Sequence, residues 1–250
     1  MLKRTPLYPV YAAHGARVID YGGWELPVLF SGIHKEHDAV RNGAGLFDVS
    51  HMGEVLVSGG EALNFLQMLT TNDVSGLAAG QCQYSLMCRQ DGGVVDDLLV
   101  YKRDESTYMI VINASNIGKD LEWMRRYAVS GVELTDISQS TAMLALQGPA
   151  AKHILWKVTA APVDDLKAFR FMADVEVAGV NALVSRTGYT GEDGFELYID
   201  REDGIVLWNR LLEAGSEYSL VLAGHMLVAV TEQRTREDID GFAEALEAIL

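Results

Sequence analysis

Two adjacent carboxylates interrupt an apolar run between Gly92 and Tyr101. Two glycines open this stretch and aliphatic residues flank the acidic pair, a pattern that predicts a strand buried on both faces. Because side chains alternate across a strand, Asp96 and Asp97 must point to opposite faces. A buried carboxylate is costly unless it is paired, hydrogen-bonded or next to a cavity, so we expect at least one of them to face an enclosed space, as a candidate functional group. The alternative is an aspartate that closes a turn beside a satisfied partner.

Three further features have residue types that suit a binding site. Tyr84 lies on a predicted strand, Asn113 ends another, and a loop with three glycines in seven residues, 188–194, leads into a strand that carries Glu196. The glycines indicate a backbone that closely approaches something, but the spacing is not that of a dinucleotide-binding loop and a strand follows in place of a helix. The alternatives are core packing for Tyr84 and Tyr189, a strand-end turn for Asn113, and the solvent side of a strand for Glu196.

The elements that would position these groups alternate irregularly along the chain. Apolar periodicity and turn residues predict helices at residues 33–42, 61–69, 116–127, 150–158 and 205–214, and strands at 16–21, 46–57, 84–88, 108–113, 142–147 and 175–184. A hairpin turn at 90–93 joins the strand that ends at Cys88 to the strand with the two aspartates. This irregular order favours an α+β fold over a regular βαβ repeat.

Composition narrows the class of protein. The 250 residues carry a net charge of −15, which argues against non-specific binding to nucleic acid or to an anionic membrane. Cys82 and Cys88 have no CxxC motif or histidine cluster nearby, so we expect free thiols in a reducing compartment and no metal site. The N-terminus lacks the apolar core of a signal peptide and no apolar run approaches membrane-spanning length. We therefore expect a cytoplasmic protein with no nucleic-acid or membrane partner.

Short motifs occur in a fixed order over about residues 3–224. They are Arg4-Thr-Pro-Leu-Tyr8, Gly15-Ala-Arg17 near Asp20, Gly23-Trp-Glu-Leu-Pro27, Gly45-Leu-Phe-Asp-Val-Ser-His-Met-Gly53, Thr71-Asn-Asp-Val74, Tyr84-Ser-Leu-Met87, Gly92-Gly-Val-Val-Asp-Asp-Leu98, Gln147-Gly-Pro149 and Ser185-Arg-Thr-Gly-Tyr-Thr-Gly-Glu-Asp-Gly-Phe-Glu196. As a set they resemble the aminomethyltransferase, or T-protein, family of the glycine cleavage system, although any one alone would be a weak signal.

The resemblance implies a reaction. Members of this family take an aminomethyl group carried on the lipoyl arm of H-protein, release ammonia, and pass the one-carbon unit to tetrahydrofolate, which becomes 5,10-methylenetetrahydrofolate. Carried over by position, Asp97 is the catalytic carboxylate, a choice that strand alternation alone leaves open. The implied co-substrate is tetrahydrofolate, and the implied partner is lipoyl-bearing H-protein.

The resemblance also implies a folate pocket. Glu196 would hold the pteridine, because its two oxygens match the adjacent N–H donors of that ring. Met52, Tyr84, Asn113 and Tyr189 would line the pocket. Arg186 would position the loop or meet an anionic part of folate.

Domain organisation is the third implication. We expect an α+β fold with mixed and antiparallel sheets: a discontinuous first domain of residues 1–50 and 137–224, and a second α+β domain of residues 51–136. After Gly224 the family continues into a small β-rich domain, whereas residues 225–250 repeat apolar side chains at helical spacing and resemble the C-terminal end of a glycine decarboxylase subunit.

This departure after Gly224 changes the expected activity. Without the β-rich domain the folate pocket would be more open, so we expect impaired transferase activity. The alternative is a non-catalytic folate-binding or interaction module derived from the same fold. The foreign amphipathic tail, or a homo-oligomer, would cover the surface left by the missing domain.

Overall fold

The structure, a computed structural model, describes residues 2–224. Within them the helices are Tyr8–Tyr11 (α1), Ile33–Asn42 (α2), Ala62–Leu69 (α3), Ile117–Tyr127 (α4), Ala151–Trp156 (α5) and Gly204–Gly215 (α6). The strands are Arg17–Tyr21 (β1), Trp24–Leu29 (β2), Ala44–Asp48 (β3), Gly53–Ser58 (β4), Gln81–Cys88 (β5), Val94–Lys102 (β6), Thr107–Ile112 (β7), Glu133–Asp136 (β8), Thr141–Gln147 (β9), Phe171–Val177 (β10), Val180–Ser185 (β11), Gly194–Asp200 (β12) and Leu220–Leu222 (β13). The predicted tail helix lies outside the described residues.

Most predicted elements are present, but the single strand predicted over residues 175–184 is wrong. The chain reverses there, and Val177 pairs with Val180 across a two-residue turn. Ala178 and Gly179 both have positive φ, at 53° and 81°, which is the backbone that a tight hairpin requires. Alanine seldom adopts this conformation, so the sequence carried only a weak turn signal. The extended segment predicted over residues 46–57 likewise divides into two strands, β3 and β4.

Two large sheets make up most of the structure. The six-stranded sheet has the order β10-β11-β12-β9-β3-β13, in which only β3 and β13 run parallel. The five-stranded sheet has the order β5-β6-β7-β4-β8 and is antiparallel throughout. The predicted α+β class with mixed and antiparallel sheets is confirmed. The boundaries of the two domains at residues 50 and 136 stay a prediction.

Three apolar clusters show how these layers pack. Helices α5 and α6 cover the outer face of the six-stranded sheet, and α3 and α4 cover the outer face of the five-stranded sheet. The third cluster lies between the sheets, and we call it the inter-sheet layer. Its buried members are Cys82, Leu99, Tyr101, Met109 and Val111 from one sheet and Met143, Phe171, Leu183 and Tyr198 from the other. Both sheets are therefore covered on both faces, which leaves no broad solvent face on their central strands.

One buried acid, Glu36 on α2, joins two segments that are distant in sequence. Oε1 of Glu36 accepts hydrogen bonds from the backbone N–H groups of Phe30, Ser31 and Gly32 at 2.7, 2.6 and 3.0 Å. Oε2 accepts a fourth from Gly224 at 2.8 Å. The carboxylate therefore holds both the loop before α2 and the last described residue.

We expect Glu36→Ala to lower the free energy of unfolding by about 3 kcal/mol, because it leaves partly buried N–H donors without their charged acceptor. Chemical denaturation measures this loss. Glu122→Ala, which changes an exposed helical glutamate, is the control and should shift stability by less than about 0.5 kcal/mol. A loss below about 1 kcal/mol for Glu36→Ala would show that water replaces the carboxylate.

Candidate functional site

The two aspartates of strand β6 lie on opposite faces of the five-stranded sheet. Leu98 and Val100 belong to the cluster under α3 and α4, whereas Leu99 and Tyr101 belong to the inter-sheet layer. By the same alternation, Asp96 faces helix α4 and Asp97 lies on the inter-sheet side. The contacts of Asp96 with the first turn of α4 agree with this assignment. The expectation that the pair points to opposite faces is confirmed.

Asn113 bridges the two carboxylates. Strand β7 ends at Ile112, opposite Leu98, so Asn113 lies just beyond the strand end and beside the acidic pair. Its Nδ2 is 3.0 Å from Oδ1 of Asp96 and 3.0 Å from Oδ1 of Asp97. The amide nitrogen must face the acids, since the amide oxygen would meet two anions with no donor between them. The side chain therefore does more than close the turn at the strand end.

Two tyrosines stand beside Asp97. Tyr84 pairs with Leu99 and Leu86 pairs with Asp97, so Tyr84 and Asp97 are diagonal neighbours on one sheet face. Partial burial raises the pKa of Tyr84, and the charge and hydrogen bond of Asp97 raise it further. Burial of its hydroxyl, then the charges of Glu196 and Asp97, raise the pKa of Tyr189 as well. These side chains are 44% and 58% exposed, so the alternative of core packing is wrong.

Glu196 is buried, at 2% exposure, and the alternative that places it on the solvent side of a strand is wrong. Phe195 and Leu197 on β12 point toward the helices, as their alternation requires. The opposite face holds Tyr198 in the inter-sheet layer, because the second sheet covers it. Glu196 therefore faces the inter-sheet layer from the six-stranded sheet. Asp97 faces the same layer from the five-stranded sheet.

A hydroxyl network surrounds Glu196. The Thr187 hydroxyl donates to Oε2 of Glu196. The Tyr101 hydroxyl lies 3.3 Å from that of Thr187 and 3.1 Å from that of Tyr198, which ties the two sheets together. No cation among residues 2–224 pairs with Glu196. Burial raises the pKa of Glu196 to about 7, although its hydrogen bonds with Thr187 and Tyr198 oppose the shift.

Met52 and Arg186 occupy the edges of this region. Met52 is partly buried against the inter-sheet layer. The Arg186 guanidinium forms a bidentate pair with Asp193, at 2.8 and 2.6 Å, and donates to the carbonyl oxygen of Leu166 at 2.6 Å. It therefore braces the glycine-containing loop between β11 and β12. Contact between Arg186 and an anionic part of folate stays a prediction.

Comparisons with known proteins agree with this architecture. The family model described as the GCVT N-terminal domain matches residues 7–234. The chain belongs to the glycine cleavage T-protein (aminomethyltransferase) family. It is 58% identical over 223 residues to an aminomethyltransferase of Halalkalibacterium halodurans, and 54% identical over 224 residues to one of Bacillus subtilis. These matches cover 89% and 90% of this chain but 61% and 62% of the relatives, so the chain spans about three fifths of their length.

Solved structures show the same fold. The glycine cleavage system aminomethyltransferase T from Bartonella henselae superposes with a TM-score of 0.81 at 31% identity, over 90% of this chain and 60% of that one. A chain of the heterotetrameric sarcosine oxidase from Corynebacterium sp. U-96 superposes with a TM-score of 0.61 at 18% identity, over 92% of this chain and 100% of that one. The second likeness concerns the fold alone.

The sequence analysis missed several residues around the acidic pair. Asn116, which precedes α4, and Lys119 and Asp120 on α4 lie near Asp96, and Thr187 contacts Glu196. The spacing of the first three was a usable signal, because residues three and four apart share one helical face. The contact of Thr187 depends on how β11 and β12 pair, which local patterns do not reveal. Among residues 2–224 no group of three or more His, Cys, Asp or Glu side chains is arranged to hold a metal.

The raised pKa of Glu196 predicts a pH-dependent stability. Because the folded-state pKa is about 7 and the ordinary value is 4.5, the folded state holds a proton that the unfolded state releases in this range. Stability from Glu196 is therefore full below about pH 4.5 and falls as pH rises to 7, by about 3 kcal/mol in total. Urea denaturation of wild type and Glu196→Gln at pH 5 and pH 8 measures how the free energy of unfolding of each protein changes with pH.

We expect Glu196→Gln to remove this loss, because the amide cannot ionise. Glu202→Gln, at an exposed position in the same sheet region, should keep the wild-type slope. Parallel pH profiles for wild type and Glu196→Gln would mean that Glu196 ionises normally in the fold. No helix among residues 2–224 is both long and apolar enough to span a bilayer.

Proposed function

We propose that this chain carries out tetrahydrofolate-dependent aminomethyl transfer in the glycine cleavage system. The donor is the aminomethyl-lipoyl arm of H-protein, and the products are ammonia, 5,10-methylenetetrahydrofolate and the dihydrolipoyl arm. The main support is that the charges of Asp97 and Glu196 both reach Tyr189 and raise its pKa, while Tyr84 lies beside Asp97. The acids come from different sheets, and family membership adds to this support. A cytoplasmic location remains part of the proposal.

Asp97 suits the electrostatic demands of the reaction. The amino group is protonated before it leaves as neutral ammonia, and the positive charge then passes to the carbon being transferred, which becomes iminium-like. An anion within hydrogen-bond range stabilises that charge and orients the attacking folate nitrogen. The N–H of Asn113 holds one oxygen of Asp97, so the carboxylate is oriented before the substrates arrive.

Glu196 suits recognition of the pterin. A buried carboxyl without a cation is short of donors, and the adjacent N–H groups of the pteridine supply two of them to its two oxygens. Binding therefore favours the ionised form of Glu196, which burial alone disfavours. Partly buried Met52 and exposed Tyr189 would line the site of the ring.

Two measurements test the proposal. Calorimetric titration with tetrahydrofolate tests binding, and single-turnover release of ammonia from aminomethylated H-protein tests the chemistry. Transfer that yields 5,10-methylenetetrahydrofolate supports the proposed enzyme. Binding without turnover favours the non-catalytic folate-binding module, and the absence of both refutes a folate function for this chain.

A further inference from the structure

Asp96 lies behind the proposed catalytic carboxylate and is fully engaged. Its Oδ1 accepts from Asn113 at 3.0 Å and from the backbone N–H of Asp97 at 3.0 Å. Its Oδ2 accepts from Nδ2 of Asn116 at 2.8 Å, with Nζ of Lys119 at 3.9 Å. Asp96 therefore contacts both the backbone of Asp97 and the amide that holds the side chain of Asp97.

Asp120 completes this arrangement from helix α4. It is 0% exposed and lies one helical turn after Asn116, and its carboxyl is near enough to that of Asp96 for the two groups to shift each other's pKa. No donor among residues 2–224 forms a hydrogen bond with either of its oxygens. Nζ of Lys119 lies 3.3 Å from Oδ1 of Asp120 and 3.9 Å from Oδ2 of Asp96, so one cation joins both acids. Two carboxyl groups in contact cannot both ionise at low cost, so one proton must lie between them.

The directions of the pKa shifts of Asp96 and Asp120 agree with a shared proton. Burial, then the hydrogen bond and charge of Asp96, raise the pKa of Asp120 to about 7 against the opposing effect of Lys119. Burial raises the pKa of Asp96, but hydrogen bonds from Asp120, Asn116 and Asn113 outweigh it and bring the net value below the ordinary one. Asp120 is therefore the protonated partner, and Asp96 is the anion that it supports.

We propose that Asp96 and Asp120 are positioning residues, a proton-sharing pair that orients Asp97 through the two N–H bonds of the Asn113 amide. The proposal rests on the proposed transferase function and adds two residues that control the orientation of its catalytic carboxylate. Nδ2 of Asn113 lies 3.0 Å from an oxygen of each carboxylate and 3.3 Å from the carbonyl oxygen of Asp97, so a displacement of Asp96 disturbs the amide that holds Asp97.

A pH dependence follows from this geometry. Ionisation of Asp120 places two anions in contact, with Lys119 as the nearby cation. Repulsion then pushes Asp96 away from Asn113 and loosens Asp97. Tyr84 and Asp97, the other titratable groups near the pair, lie on the opposite side of β6. With saturating tetrahydrofolate, which removes the effect of Glu196 on binding, transfer should therefore be fastest below about pH 7 and decline above it.

Side-chain amide resonances of Asn113, followed by NMR in ¹⁵N-labelled protein, test the pair without any turnover. In the wild type we expect the Asn113 NH₂ shifts to titrate with a midpoint near pH 7. Asp120→Asn, which keeps a neutral donor toward Asp96, should abolish this titration. Glu122→Gln makes the same charge change on the exposed side of α4 and should leave it intact. Loss of the titration in both variants, or its persistence in Asp120→Asn, would overturn the proposal.

Single-turnover transfer supplies the second readout. We expect Asp120→Asn to match the wild-type rate at pH 6 and to keep it at pH 8.5, where the wild type declines. Asp120→Leu, which cannot hydrogen-bond, should be roughly tenfold to hundredfold slower at every pH with tetrahydrofolate affinity unchanged. A merely structural role would lower the stability of both variants and leave the pH profile in place, contrary to the proposal. If the wild type shows no turnover, the transferase function fails, while the Asn113 titration still decides whether the pair exists.

Discussion

Asp97→Asn is expected to slow single-turnover transfer by at least about a thousandfold while tetrahydrofolate affinity changes by less than about threefold. The amide has the shape of the carboxylate and can still accept from Asn113, so the pocket keeps its geometry. It lacks the negative charge that stabilises the protonated amino group and the iminium-like carbon. A loss confined to the chemical step is the signature of an interaction made in the transition state.

A matched variant separates this effect from a general change in charge. Asp104→Asn removes a carboxylate from the exposed turn between β6 and β7 and should leave the transfer rate within about twofold of the wild type. Transfer by Asp97→Asn at more than about a tenth of the wild-type rate would assign the chemistry to another group. A large loss of folate affinity in that variant would make Asp97 a binding residue.

Glu196→Gln is expected to weaken tetrahydrofolate binding by about a hundredfold at pH 8, because one acceptor of a charge-assisted pair becomes a donor. The wild type should also bind more tightly as pH rises toward 7, by up to about tenfold per pH unit, since only the carboxylate accepts both N–H groups. Above the pKa of about 7 its affinity should level off. Calorimetry across pH 5.5–8.5 measures both effects.

The change of tetrahydrofolate affinity with pH has the opposite sign to the change of the free protein's stability with pH. Deprotonation of Glu196 costs stability in the folded chain, and the same deprotonation prepares the site for the pterin. Glu202→Gln should bind like the wild type at each pH. Equal affinity of wild type and Glu196→Gln would place the pterin elsewhere.

Local sequence patterns were sufficient to predict most of the helices and strands. Helices α2, α3, α4 and α6 match the predicted ranges within about one residue, because their apolar side chains repeat at helical spacing. The opposite orientation of Asp96 and Asp97 was also predictable, since it depends only on the two-residue period of a strand. The hairpin at Ala178-Gly179 was missed because alanine rarely takes positive φ.

Burial of the site residues could not be predicted in the same way. The face of β12 that carries Glu196 would be a solvent face in a single sheet, and it is buried because a second sheet covers it. Similarly, which of Asp96 and Asp97 lies on the inter-sheet side depends on which side of the five-stranded sheet meets helix α4. These are long-range packing decisions, and a local pattern contains no information about them.

The sequence by itself determined the family, the α+β class and the residues proposed for the chemistry, because motifs and periodicity are local properties. Only the tertiary structure decided that the charges of Asp97 and Glu196 both reach Tyr189 and that Asp120 lies near Asp96. Their environments are made by groups distant in sequence: a second sheet over Glu196, and a helix end against Asp96. Desolvation and charge pairing act through space, so the protonation of these acids follows from how the layers pack.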